Sequence, residues 1–375
     1  MIDNTTSDAT NENRSDGGVL EAEPVRRSTD DRPRRTQTHS WAVAAPFIVS
    51  PDDRWISDFA TTDRHRFHKV AQRRSETSWH SKKVARTGPA EWLQFHATAR
   101  RALSHARDHS GGVVTVFPQL PAAAGLQKRA MRLDAPIVSW FFNTNLGDGS
   151  QRALARTALG AVDRFVVHAS AEIEAYASAL ELPTDRFTFV PVQYGGDLAS
   201  DAEDVDEPFV FATGSGFRDY RTMFDAVEKL GLPAKIVAGD RILEGLRVPD
   251  NVEVLNHLKR PDIHRLMRKA RVNVIPLTTE GLTAGIITVA ETYRHGRGLV
   301  ITRRNGLEDY VVPGVTALQA EPGDVATMAD SIEALWSDAE LRAELDRGAA
   351  AWGEANCSDE AAAANLVAVL DDVVR

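Results

Sequence analysis

Short runs of β-branched and apolar residues alternate with segments of helical periodicity along most of the chain, and this rhythm restricts the fold more than any other feature. Strands separated by helices lie parallel and are joined by crossovers, which is the doubly wound α/β class. WAVAAPFIV (41–49) reads as a first buried strand, stopped by Ser50-Pro51-Asp52-Asp53. GPAEWLQFHATARRALSHARD follows as a helix, with Trp92, Phe95, Ala99 and Leu103 at helical spacing. GVVTVFP (112–118), PIVSWFF (136–142) and RFVVHA read as strands; AAAGLQKRAMRL, SQRALARTALGAV and SAEIEAYASAL read as the helices between and after them. Ser170 is placed to cap the last of these. The acidic segment YGGDLASDAEDVDEP then interrupts the pattern. It restarts with PFVFATG (strand), RDYRTMFDAVEKLG (helix ending at Gly231), AKIVAG and VEVLN (strands), and RPDIHRLMRKA, a helix with Pro261 near its start. RVNVIPL, GLVIT and ALQAEP read as further strands, GIITVAETYRHG as a helix and GLEDYVV as a short one, and three helices close the chain. Two Rossmann-like halves facing a cleft follow, with ligands expected beyond the carboxyl ends of the strands.

The expected organisation is a disordered tail at 1–38, a first domain at 39–194, a linker at 195–208, a second domain at 209–355 and a closing helix at 356–375. The tail is polar and carries a late basic cluster of Arg26, Arg27, Arg32, Arg34 and Arg35. With 375 residues, 43% of them hydrophobic, the chain has enough length and apolar material for two cores. It contains no apolar run of the roughly 18 residues that a membrane span needs, and no secretory signal core in its first forty residues. Its single cysteine, Cys357, can form neither an internal disulfide nor a cysteine-based metal site, so a cytoplasmic location is expected. The net charge of −9 is unevenly spread: residues 61–110 carry eleven Lys or Arg against four Asp or Glu, and 197–207 carry six acids and no base. This balance argues against general nucleic-acid binding. The basic region reads either as a solvated face or as one that meets phosphates or an anionic membrane at the inner surface.

Two segments carry candidate chemistry. In ATGSGFRDYRTMFDA (212–226) a strand gives way to a Gly-Ser-Gly turn, Gly214, Ser215 and Gly216, and then to a helix beginning near Arg218. Glycines admit an anion close to the backbone, helix-start amides point at it, and Arg218 can add a charged contact. The plain alternative is a tight turn beside a surface arginine. The third glycine of a dinucleotide fingerprint is missing, so a nicotinamide site is not supported. In PLTTEGLTAGIITVAETYRHG (276–296) a polar loop ends at Thr283 and Ala284, Gly285 opens a helix with free amides at Ile286 and Ile287, and Glu291 follows within it. Glu291 can accept hydrogen bonds from paired sugar hydroxyls; its structural alternative is an ion pair with Arg294.

The order of these parts from Phe209 to Trp352 resembles the donor domain of family-4-like glycosyltransferases, the glycosyl transferases of group 1, which have the GT-B fold. RDYRTMFDA resembles the segment after the family's phosphate loop, with Arg218 where a phosphate-binding lysine is usual. GIITVAETYRHGRGLVITRRNGLEDYVVPGVTALQAEPGD resembles the family's long signature, and Glu291 corresponds to the second glutamate of its Glu-x7-Glu motif, expected on the donor ribose. Thr283 stands where the first glutamate should contact the donor sugar; Glu280, in a longer loop, is the nearest substitute. The loop also lacks the arginine usually found ahead of the lysine position. The resemblance implies a nucleoside diphosphate-sugar as substrate, retention of configuration, and closing helices that brace the first domain.

The first half resembles the family more faintly. Gln119 and Asn143 follow two of its strands where a histidine is frequent, and His168 at the end of RFVVHA is expected to face the cleft. In HRFHKVAQRRSETSWHSKK (65–83), Trp79 reads as a sugar-stacking platform with Lys82 and Lys83 beside it, or as the anchor of a solvated basic loop. His65 and His68 lack a third ligand, and no Asp-x-Asp site is present, so neither a metal nor another cofactor is expected. The leading expectation is sugar transfer to a glycan or lipid-linked hydroxyl acceptor. The alternatives are a non-catalytic GT-B scaffold and a sugar-nucleotide epimerase.

Overall fold

A computed structural model describes residues 37–72, 87–144, 146, 149–196, 203–281 and 283–375. The tail 1–36 and the stretch containing Trp79, Lys82 and Lys83 therefore lie outside the described residues.

The first half builds a six-stranded, wholly parallel sheet in the order β2-β1-β3-β4-β5-β6. Its strands are β1 (His39–Ala44), β2 (His65–Lys69), β3 (Val113–Val116), β4 (Ile137–Trp140), β5 (Arg164–Val167) and β6 (Phe187–Phe189). The interleaved helices are α1 (Pro89–Asp108), α2 (Gln119–Met131), α3 (Gly149–Leu159) and α4 (Glu172–Leu180). β3 and β4 are buried at every position, as strands covered on both faces must be, and so they read as apolar runs without alternation. Alternate residues serve opposite faces. Ala42 and Ala44 pack with Phe95, Ala99 and Leu103 of α1, whereas Trp41 and Val43 pack with Leu366 and Leu370 of the last helix of the chain.

The second half forms another six-stranded parallel sheet, ordered β12-β11-β10-β7-β8-β9. It comprises β7 (Val210–Thr213), α5 (Tyr220–Leu230), β8 (Ala234–Val237), α6 (Asp240–Leu243), β9 (Val252–Leu255), α7 (Arg260–Lys269) and β10 (Val272–Ile275). α8 (Ile286–Arg294), β11 (Leu299–Thr302), β12 (Ala317–Ala320), α9 (Val325–Ser337), α10 (Ala339–Cys357) and α11 (Asp359–Val373) complete it. α5 and α9 cover one face, and α8 and α10 the other. The chain passes between halves twice. Val192 and Tyr194 join the second core, and α11 returns to the first, where Asp371 pairs with Arg64 and His65 and Asp372 with Arg164. The two passages touch: the Tyr194 amide donates to the Cys357 carbonyl at 2.8 Å.

Four local expectations need correction. β1 ends at Ala44 and not at Val49, because Pro46 has no amide for the ladder and Asp53 draws the amides of Val49 and Ser50 into a turn, at 2.6 and 2.8 Å. His65–Lys69, read as part of a variable basic loop, is an edge strand whose His65 is buried and accepts from Trp41 Nε1 at 3.0 Å. GLEDYVV forms turns in place of a short helix. Ser170 does not cap α4; its amide and hydroxyl donate to Asp309 at 2.7 and 2.9 Å, linking the two halves.

Candidate functional site

Each sheet has one position where neighbouring strands send their connections in opposite directions, and crevices open at such points. In the second sheet it lies between β7 and β10. This brings the two candidate segments together although they are far apart in sequence. The Asp219 amide donates to the Pro276 carbonyl at 3.1 Å, the Thr278 amide donates to the Phe217 carbonyl at 3.0 Å, and Arg218 bridges to Leu277.

The first loop differs from its expected form. The Gly214 amide is engaged by the Val237 carbonyl at 3.3 Å, so it extends the sheet and is not free for an anion. Gly214 is required for another reason: its φ is +119°, and a Cβ there would lie 2.4 Å from the Arg218 guanidinium. Ser215 and Gly216 are exposed. The helix begins at Tyr220 with Asp219 as its cap, accepting from the Thr222 amide at 3.1 Å, so Arg218 lies in the loop before it. Arg218 is buried. Its Nε donates to the Thr213 carbonyl at 3.1 Å, Nη1 to the Gly216 carbonyl at 2.9 Å and Nη2 to the Thr288 hydroxyl at 3.0 Å. Burial, and then the charge of nearby Arg304, pull its pKa below the usual arginine value.

Arg304 lies within the signature segment, just past β11, but no spacing in the sequence singles it out. It is half-buried and donates to the carbonyls of Thr278 (3.3 Å) and Gly281, while its Nε is buried without a partner. Among the described residues no carboxylate forms an ion pair with either Arg218 or Arg304. The two guanidinium groups hold adjoining loops, lie near enough for their charges to repel, and have no ion-pair partner among the described residues, which meets the electrostatic requirement of an anion.

The second segment supplies a helix start. Gly285, at φ +92°, is the residue before α8, where a Cβ would press on Leu277 at 3.1 Å. Ile286 is buried and Ile287 is 47% exposed, so one turn of apolar helix end opens toward the cleft. The first amides of a helix have no partner within it, and they carry the positive end of its dipole. Ala284 is half-buried behind them. Glu291 is buried in the second turn, but its partner is Arg260 of α7 and not Arg294, which pairs with Glu354. His264 Nε2 lies 3.7 Å from the same carboxylate oxygen and its Nδ1 is 3.0 Å from the Tyr194 hydroxyl. Burial alone would raise the Glu291 pKa; His264 and Arg260 outweigh it and hold the carboxylate below its usual value.

Thr283 meets the first domain directly. Asn143 Nδ2 donates to its hydroxyl at 3.3 Å, and Glu172 of α4 hydrogen-bonds its side chain. Glu280, the sequence's nearest substitute for the missing glutamate, is exposed. The carboxyl group at Thr283 is therefore Glu172, from the opposite half, which no sequence motif marks. Glu172 is 7% exposed, its Oε2 is buried without a partner, and burial pushes its pKa up to about 7.

His168 does not face the cleft as expected. It is buried beneath the Phe141 ring at 4.4 Å, its Nδ1 donates to the Val190 carbonyl at 2.7 Å, and burial lowers its pKa to about 4. Gln119 opens α2 with a buried, unpartnered Oε1. Among the described residues no group of three His, Cys, Asp or Glu is placed to hold a metal ion, and no helix is long and apolar enough to cross a membrane.

Between the halves lies a cavity of about 750 Å3, within the usual range for a small-molecule site. Arg260, His264, Arg268 and Ile287 line it from the second half, and Gln193, Tyr194 and Asp359 at the chain crossings. The first half contributes Arg54 and a set of aromatic side chains, Phe47, Trp55, Phe59, Phe117, Trp140 and Phe141.

Residues 227–338 match the family model described as glycosyl transferases group 1. A search of curated protein sequences finds no match. Solved structures share the architecture over nearly their whole length. A glycosyltransferase from Rickettsia africae superposes with a TM-score of 0.64 at 12% identity, covering 90% of this chain and 99% of its own. Sucrose-phosphate synthase from Thermosynechococcus elongatus gives 0.62 at 14% identity, with the same coverage. HepE from Anabaena, solved with UDP, gives 0.60 at 13% identity over 90% of this chain and 100% of its own. The chain has the GT-B fold, and residues 227–338 of its second half match the group 1 glycosyltransferase model.

Proposed function

We propose that this protein transfers a sugar from a nucleoside diphosphate-sugar to a hydroxyl acceptor, with retention of configuration. The observation that carries the reading is the convergence of Arg218, Arg304 and the start of α8 at the point where the second sheet reverses. Breaking a glycosidic C–O bond leaves both bonding electrons on the departing phosphate. Fixed positive groups that meet this growing charge stabilise the transition state without reorganising. Thr288 holds Arg218 in α8's first turn, so cation and helix dipole act from one side. Structural neighbours favour uridine: HepE was solved with UDP and with UDP-glucose, and a Burkholderia xenovorans neighbour is a UDP-forming trehalose-phosphate synthase.

Glu291 is assigned to the donor ribose, which must then share or displace Arg260. That pairing favours a second reading, a GT-B scaffold in which the ribose position is permanently closed. The basic region supports a peripheral contact with anionic lipid headgroups, although Arg64, Lys69 and Arg107 already pair with acids.

A thermal-shift series with UDP-, GDP- and dTDP-sugars tests the assignment. One nucleotide should raise the melting temperature, and Glu291→Ala and Arg218→Ala should abolish the rise. Absence of any shift at millimolar nucleotide contradicts the donor site. Binding without transfer or hydrolysis favours the scaffold.

A further inference from the structure

The first sheet reverses its connections between β1 and β3, so the segments after these strands border the crevice opposite the donor loops. They carry aromatic side chains. Phe47 meets Phe117 edge-on at 6.3 Å, Phe117 meets Phe141 at 5.2 Å, and Trp55 meets Trp140 at 6.4 Å and 88°. Phe117 and Phe141 follow β3 and β4 directly, at equivalent places on neighbouring strands. Both have left-handed backbones, at φ +66° and +56°. Bulky residues avoid that region, whereas glycine enters it freely. A phenylalanine held there twice, with both rings in the cavity wall, marks the aim of the side chain as the feature the fold maintains.

The chemistry of this wall is one-sided. Among the described residues of segments 47–59, 116–117 and 140–141 that line the cavity, Arg54 carries the one charged side chain, and its guanidinium lies over the Phe59 ring at 4.4 Å. An aromatic ring packs edge-on or offset against such a wall and needs no polar partner on that face. The polar groups, Gln193, Tyr194 and Asp359 at the chain crossings and Arg260, His264 and Arg268 of the second half, line the rest of the cavity.

We infer that the acceptor is an aromatic alcohol or phenol whose ring body packs on the Phe47–Phe117–Phe141 and Trp55–Trp140 wall. Its hydroxyl group points across the cleft toward the donor. This rests on the transferase reading and replaces the glycan acceptor within it. In the transfer the acceptor oxygen forms a bond to the sugar's anomeric carbon and the bond to the diphosphate breaks. The hydroxyl proton leaves with the released nucleoside diphosphate.

Isothermal titration with 4-phenylphenol and, separately, with maltose tests the inference on the full chain. The phenol should bind and maltose should not. Phe117→Gly and Phe141→Gly should each weaken phenol binding tenfold or more. Glycine suits the left-handed backbone, so both variants should fold, and a cooperative melting transition, lowered by the lost ring packing, checks this. UDP titrated into the same variants reads the donor site independently. Phenol binding without UDP binding supports the wall and refutes the donor assignment. UDP binding with no phenol binding, maltose binding in its place, or phenol binding unaltered by both glycine variants overturns the inference.

Discussion

Replacing Glu172 by glutamine should flatten the fall in stability between pH 5 and 8. The carboxyl group is 7% exposed, one oxygen meets Thr283 and the other has no partner, so the folded protein favours its protonated form. Its pKa is about 7 in the fold against an ordinary value of 4.5. Because the folded value is raised, the folded state holds a proton that the unfolded chain releases between these two values. The stabilising effect is complete below about pH 4.5 and is lost as pH rises through 7. At about 1.4 kcal/mol per factor of ten, the loss reaches about 3 kcal/mol by pH 8. Glutamine preserves the shape and can still bond Thr283, but it has no proton to lose. Urea unfolding at pH 5, 6.5 and 8 should show Glu172→Gln close to the parent at pH 5 and more stable by about 2–3 kcal/mol at pH 8. A stability difference that does not change with pH would contradict a raised pKa at Glu172. It would mean that the carboxylate finds a partner or water on ionising.

Two further outcomes concern the seam and the helix start. The Tyr310 hydroxyl receives the Val192 amide at 2.8 Å and donates to the His168 carbonyl at 2.7 Å, all of it buried. Tyr310→Phe strands both groups and should lower stability by about 2–4 kcal/mol, read as a lower urea midpoint. Gly285→Ala places a Cβ 3.1 Å from Leu277 at a φ of +92°, so it should displace the start of α8 and weaken nucleotide binding more than it lowers the melting temperature. Unchanged nucleotide affinity would show that this helix end does not touch the ligand.

The residues that could be read in advance are those whose job is written in local pattern. The buried strands announce themselves as apolar runs, and Gly285 with Glu291 as a glycine-led helix. β2 escaped because an edge strand tolerates charge, and His-Arg-Phe-His-Lys holds one apolar residue in five. Glu172 and Arg304 escaped for a different reason. Each acquires its meaning from a partner distant in sequence, Thr283 for the first and the Arg218 loop for the second, and no local spacing encodes such a meeting. His168 was misplaced because a strand-end histidine can turn inward when a neighbour covers it, here Phe141. Left-handed backbone at Phe117 and Phe141 runs against local propensity, so it can only be seen in the folded chain.

On the proposed function, two arginines and the start of α8 form one anion site. Isothermal titration of UDP into the parent, Arg218→Ala and Arg304→Ala measures it directly. No role for Arg304 is legible in the sequence and, among the described residues, it pairs with no acid, so its loss tests the geometry alone. Affinity should be at least tenfold weaker in each variant, and the parent's affinity should weaken as salt rises. UDP affinity unchanged in Arg304→Ala would contradict it.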